Sequence, residues 1–141
     1  MKPANHAPSA GNLQGYDLVL IRDQKVKESL AKAANNQSCI SSTSIVLVFC
    51  VNGTISADRY GKRGDQLYSI QDATIACTYV HLATTTLGLG SVWVGAFDED
   101  KVKKIINTPE GVRPVAILPI GYPDEQPEPR SRRELDVLVK K

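Results

Sequence analysis

At 141 residues, with 42% hydrophobic and 23% charged side chains, the chain holds enough apolar material for one soluble globular domain spanning 1–141 and needs no second. Seventeen Lys and Arg against fifteen Asp and Glu leave a net charge of +2, too small for a general nucleic-acid or membrane-binding surface. The cysteines Cys39, Cys50 and Cys77 are odd in number and lack a C-x-x-C pair, which argues against a disulfide framework or a zinc site.

Residues 1–6 carry no signal-peptide apolar run, and no stretch approaches the roughly 20 apolar residues of a membrane span, so the expected location is cytoplasmic. Tyr16 to Arg22 reads as a short strand. Asp23 to Ala34 opens on an N-cap candidate and aligns Val26 and Leu30 with Ala33 or Ala34, the pattern of an amphipathic helix. Ser44 to Val51 is almost continuously apolar, as in a strand buried on both faces. Asn52-Gly53 closes it, and Ala57 to Gly64, polar and interrupted by glycine, predicts an ordered loop. Gln66 to Leu87 runs without Gly or Pro and with Asp72 as its one ionised residue, a helix buried nearly all round. A domain this small cannot cover such a helix alone, which points to a homodimer. Gly88-Leu-Gly90 ends it, and a strand is expected to start within Ser91 to Val94. Asp98 to Ile106 is a second capped amphipathic helix, and Pro114 to Ile120 a second buried strand. The order is α+β. From 124 to 141 the prolines and charges leave little to pack, and an extended C-terminal arm is expected.

Between Pro127 and Lys141 stand five cations and three anions, so affinity for a phosphate is expected to concentrate there. Arg130 and Arg132 alternate along the arm, and an extended backbone projects both to one side; Arg133 replaces one of them if the register slips. A solvated basic tail accounts for the same composition. Pro8 to Gln14 offers small residues, the hydroxyl of Ser9 and the amides of Asn12 and Gln14, suited to lining a polar planar ligand with little bulk. On residue chemistry alone, an ordinary Asx- or Ser-rich turn is the simpler account.

Other constellations are set aside. Gly88-x-Gly90 has Trp93 where a dinucleotide fingerprint needs its third glycine, and it follows a helix where that motif follows a strand. Cys77 and His81 stand at i, i+4, but two ligands without a third are more often core residues, and no metal is expected. Ser9 near His6 lacks a nucleophile-elbow sequence and a third partner.

Four segments taken together go further: Ala7-Pro-Ser-Ala-Gly-Asn-Leu-Gln14; Arg59-Tyr-Gly-Lys-Arg-Gly64 with Leu67-Tyr68 and Gln71-Asp72; Leu87-Gly-Leu-Gly-Ser-Val-Trp-Val-Gly-Ala-Phe97; and Pro119-Ile-Gly-Tyr-Pro123 with the arginines of 130 to 133. Their order and spacing resemble the nitroreductase family of FMN-dependent oxidoreductases. The resemblance implies a nitroreductase-like α+β fold, a central mixed sheet flanked by helices, assembled as a homodimer with two FMN sites at the interface. It implies hydride transfer from NAD(P)H to nitro compounds, quinones or similar small-molecule acceptors. Pro8, Ser9 and Asn12 would contact FMN bound chiefly to the other subunit, with Gln14 near. Backbone donors at Gly95 and Ala96 would face the flavin N5 edge, Asn36 or Gln37 would reach the ring edge, and Arg130 and Arg132 would hold the phosphate. No catalytic side chain is expected, because the flavin carries the chemistry. Family members usually begin earlier, with an Arg-rich helix, and Met1 here falls just before the Ala7 segment. Weaker FMN binding is the expected consequence. A non-catalytic flavin- or nucleotide-binding dimer is the alternative function.

Overall fold

A computed structural model describes residues 1–140. In chain order it contains α1 (Lys2–Asn5), a 3-10 turn (Ala10–Asn12), β1 (Tyr16–Ile21), α2 (Gln24–Ala33), α3 (Ser38–Ser42) and β2 (Ile45–Asn52). There follow α4 (Gly53–Arg63), a π-helical turn (Gly64–Tyr68), α5 (Ser69–Thr86), β3 (Gly90–Ser91), α6 (Glu99–Ile106), β4 (Val112–Gly121) and α7 (Leu135–Leu138).

The strands form one sheet in the order β1-β2-β4-β3. It was expected to be mixed; every pairing among the described residues is antiparallel. A continuous apolar run reports burial on two faces and says nothing of strand direction, and here both faces are covered. Val46, Val48 and Cys50 of β2 point into a core completed by α2, α3 and α6 through Leu30, Ile40 and Val102. Leu47 and Phe49 point the other way, against Ala4, Ala7, Ala76, Cys77 and Val80. Burial pushes the thiols of Cys50 and Cys77 up to about 12 from an ordinary 9.0.

Both amphipathic helices carry the expected caps: Asp23 Oδ1 accepts from Val26 N at 3.0 Å, and Asp98 Oδ1 from Lys101 N at 3.0 Å. The Asp98 carboxyl lies below its usual range because the Lys101 side chain and N–H both donate to it. The expected loop over 57–64 is instead most of α4. Gly61 (φ 56°, ψ −144°) breaks that helix, so glycine marks an interruption and not the whole segment. The helix expected from Gln66 begins as the π-helical turn and becomes α-helical at Ser69. The strand expected from Ser91 shrinks to β3 and a lone bridge, Val94 to Ile117.

Along α5 one stripe remains open in the single chain, with Tyr79 40% and Leu82 60% exposed. Residues 122–140 are exposed throughout and carry only the four-residue α7. Lys141, the last residue of the expected arm, lies outside the described residues.

Candidate functional site

The segment from Pro8 to Gly15 is a tight loop that α5 holds from beneath. Asp72, 2% exposed, accepts the Ala10 N–H at Oδ1 (2.9 Å) and the Gly15 N–H at Oδ2 (3.3 Å). One carboxyl thus ties both ends of the loop to the helix. Between them Gly11, Asn12 and Gln14 adopt left-handed φ values of 58°, 57° and 53°, conformations that Gly and Asn reach at low cost. Ser9 Oγ accepts the Gln14 N–H at 3.0 Å, and Gln14 Nε2 donates to Asn5 Oδ1 at 3.2 Å. The Ser9 hydroxyl therefore shapes the loop, while Pro8 and Asn12 are exposed. A groove of about 600 Å³ runs beside them, lined by Pro8, Ser9, Tyr68, Ile70, Thr74 and Ile75 among others.

A second cluster forms across the chain. Asn35 and Asn36 are both left-handed (φ 57° and 58°), and this turn carries Asn35 Nδ2 and Gln37 Nε2 to the Ala96 carbonyl at 3.2 and 3.4 Å. The Asp98 N–H donates to Ala33 O at 2.8 Å, sealing the same junction. Ala96 O is doubly engaged, whereas among the described residues the N–H groups of Gly95 and Ala96 have no intrachain acceptor. Of the two ring-edge candidates, Gln37 joins this cluster and Asn36 stays exposed without reaching it.

The two clusters lie apart. The Pro8 loop leads into β1 at one sheet edge and packs through Ala7 on the α5 face. Gly95 and Ala96 follow the Val94 bridge at the other edge, on the face that carries Ala33, Ala34 and Phe97. Three strand spacings of roughly 4.8 Å, some 14 Å, separate those edges. Arg130 and Arg132 join neither cluster: both are exposed, and among the described residues Arg132 Nη1 reaches only its neighbours' carbonyls, Arg130 O and Ser131 O, each at 3.4 Å.

The chain matches the profile of the nitroreductase family over residues 43–122, from just before β2 to just past β4 and more than half its length. It belongs to that family. An NADPH-flavin oxidoreductase of Vibrio harveyi is 29% identical over 140 residues, covering 94% of this chain and 58% of that protein. An NADH dehydrogenase of Thermus thermophilus is 26% identical over 166 residues, covering 99% and 81%. The solved structure of a Vibrio harveyi NADPH:FMN oxidoreductase complexed with NAD+ superposes with a TM-score of 0.90 at 26% identity, covering 99% of this chain and 64% of that one. The chain thus spans 58% to 81% of the length of these relatives. Among the described residues no helix is long and apolar enough to cross a membrane.

Cys77 is in the core, and His81 turns from it: His81 Nδ1 stands 2.7 Å from Ser91 Oγ, which also lies 2.7 Å from Thr84 Oγ1. Two residues escaped sequence reasoning. Asp72 carried a signal, the lone ionised group of an otherwise uncharged buried helix, which demands partners for its oxygens. Asn35 was overlooked beside Asn36, although consecutive Asn residues mark a left-handed turn.

Proposed function

We propose that this nitroreductase is an FMN-dependent oxidoreductase that passes hydride from NAD(P)H to nitro compounds, quinones or similar acceptors, working as a homodimer. The observation that supports it best is the split geometry. The residues matched to one flavin's surroundings form two preorganised half-sites at opposite edges and faces of one sheet, and a second copy would set the Pro8 loop of one chain against the Gly95 segment of the other. The open α5 stripe with Tyr79 and Leu82 is the surface such a copy would cover.

The residues present fit FMN. The unengaged N–H groups of Gly95 and Ala96 can donate to a ring edge, and Gly95 adds no bulk against it. The Asn12 amide stands exposed on a turn fixed by Asp72, and Arg130 and Arg132 supply guanidinium forks for the phosphate. Bound FMN supplies the two-electron chemistry, so the protein needs to hold, orient and desolvate the ring, with no acid or base of its own.

Two measurements test the reading. Purified protein should take up FMN, turn yellow and bleach under NADPH or NADH without air; protein that takes up no FMN overturns the reading, and colour that persists leaves only a binding module. Sedimentation should give a dimer at micromolar concentration, and a stable folded monomer there removes the split-site account.

A further inference from the structure

A cavity of about 340 Å³ opens where β2 ends and β4 begins, walled by Val51, Asp65, Gln66, Ile70, Gly111 and Arg113. Four stretches of chain meet there: the end of β2, the π-helical turn with the start of α5, the turn before β4, and the start of β4 itself. Only Ile70 among these residues also lines the groove beside the Pro8 loop, and none belongs to the Gly95 cluster.

The cavity holds charges of opposite sign that do not meet. The Asp65 carboxylate rests against Gly53, the first residue of α4, where a Cβ would collide with it. The Asp65 carbonyl accepts from Ser69 Oγ at 2.6 Å, but its carboxylate has neither a hydrogen-bond donor nor an ion-pair partner among the described residues. Arg113 is drawn elsewhere. Its Nε lies 3.6 Å from Glu99 Oε2, and Glu99 is already engaged through Oε1 by Lys103 Nζ at 2.8 Å. Both Nη groups of Arg113 and the side-chain amide of Gln66 have no protein partner among the described residues.

Opposite charges in one concavity gain by contact, so a gap kept between them favours a ligand that carries both signs. The fork of Arg113 matches a carboxylate, the Asp65 carboxylate matches an ammonium, and the Gln66 amide can donate or accept. Val51 and Ile70 add an apolar wall beside them.

We propose that this cavity binds a zwitterionic α-amino acid with a short aliphatic side chain. Its carboxylate lies on Arg113, its ammonium on Asp65 and its side chain against Val51 and Ile70. A lone carboxylate would face Asp65 with like sign, and a lone ammonium would face Arg113 in the same way, so neither half of the ligand suffices. Binding is by hydrogen bonding, charge and apolar contact, and no bond is made or broken. The site does not depend on the flavin reading, and protein that takes up no FMN tests it equally well.

The test is an NMR titration of the full chain, following the Gln66 side-chain amide and the Gly111 N–H. The probes are L-valine and L-leucine, isovalerate, which keeps the carboxylate alone, and isobutylamine, which keeps the ammonium alone. At least one amino acid should bind about tenfold or more tightly than either singly charged probe. Asp65→Asn and Arg113→Gln, both at exposed positions, should each weaken that amino acid about tenfold, with Arg113→Lys between, and leave FMN affinity as it was. Should a variant fail to fold, the comparison of the four probes on the unaltered chain still decides. The proposal is overturned if neither amino acid moves these resonances up to about 10 mM, if isovalerate or isobutylamine binds as well, or if both substitutions leave binding unchanged. An equal loss of FMN affinity in the variants also overturns it, because the cavity would then belong to the flavin's surroundings.

Discussion

The Pro8 loop and the C-terminal arm carry polar residues that the proposed function assigns to the same ligand, yet the fold treats them differently. The loop is fixed by a buried carboxyl and by its own Ser9 hydroxyl. The arm beyond Gly121 is exposed residue after residue, and among the described residues Arg132 reaches only the carbonyls of Arg130 and Ser131. Order in the loop is supplied by folding, whereas order in the arm has to come from whatever it meets. Mutations in the loop should therefore register in stability, and mutations in the arm only in binding.

The largest effect is expected in the arm. Replacing Arg130 and Arg132 together by Ala should remove on the order of 3–5 kcal/mol of FMN binding if the pair is desolvated against the phosphate, leaving riboflavin binding and ligand-free unfolding unchanged. A fall in the melting temperature of the ligand-free protein would erase the contrast. Asp72→Ala should do the reverse: one buried and one part-buried N–H group lose their acceptor, at a cost of about 2–5 kcal/mol in chemical denaturation. A loss under about 1 kcal/mol would mean the loop is held by something else.

The body should also respond to alkali where the arm does not. Cys50 and Cys77 titrate near 12 when folded and near 9.0 when unfolded, so above pH 9 the unfolded chain loses these protons first and stability declines until the folded thiols ionise. Each thiol should cost roughly 2 kcal/mol by pH 10.5, with almost none lost below about pH 8. The double variant Cys50→Ala, Cys77→Ala should flatten that part of the profile, and an unchanged profile counts against the buried-thiol account. The smallest effect tests the loop's exposed tip: Asn12→Ala should cost FMN affinity about 0.5–1.5 kcal/mol with no change in unfolding. Unaltered affinity would take Asn12 out of the site.

What the sequence made legible follows from separation along the chain. The caps at Asp23 and Asp98 act over three residues, and their helices were readable to within a residue. Asp72 meets Ala10 across 62 positions and Asn35 meets Ala96 across 61, distances at which no local pattern exists. The family resemblance supplied the Pro8 and Gly95 segments without their supports. Strand direction was lost for a related reason: two-sided burial makes an antiparallel centre read like a parallel one. Gly61 misled by its chemistry, since one left-handed residue ends a helix without abolishing the turns before it.

The position of β4 beside β2 governs how this chain can fold. Roughly 60 residues separate the two strands, against roughly 23 between β1 and β2. Closing the longer loop costs only about 0.8 kcal/mol more in chain entropy, but it must wait until the intervening helices have condensed. On a ribosome the wait is longer, because β4 emerges roughly 60 residues after β2. Until it arrives, one long edge of β2 stands bare, with Val46, Leu47, Val48 and Phe49 in sequence along it. An apolar edge of that length is a template for pairing with another chain. Slow emergence of residues 112–121 should therefore be the step at which this protein depends most on chaperones.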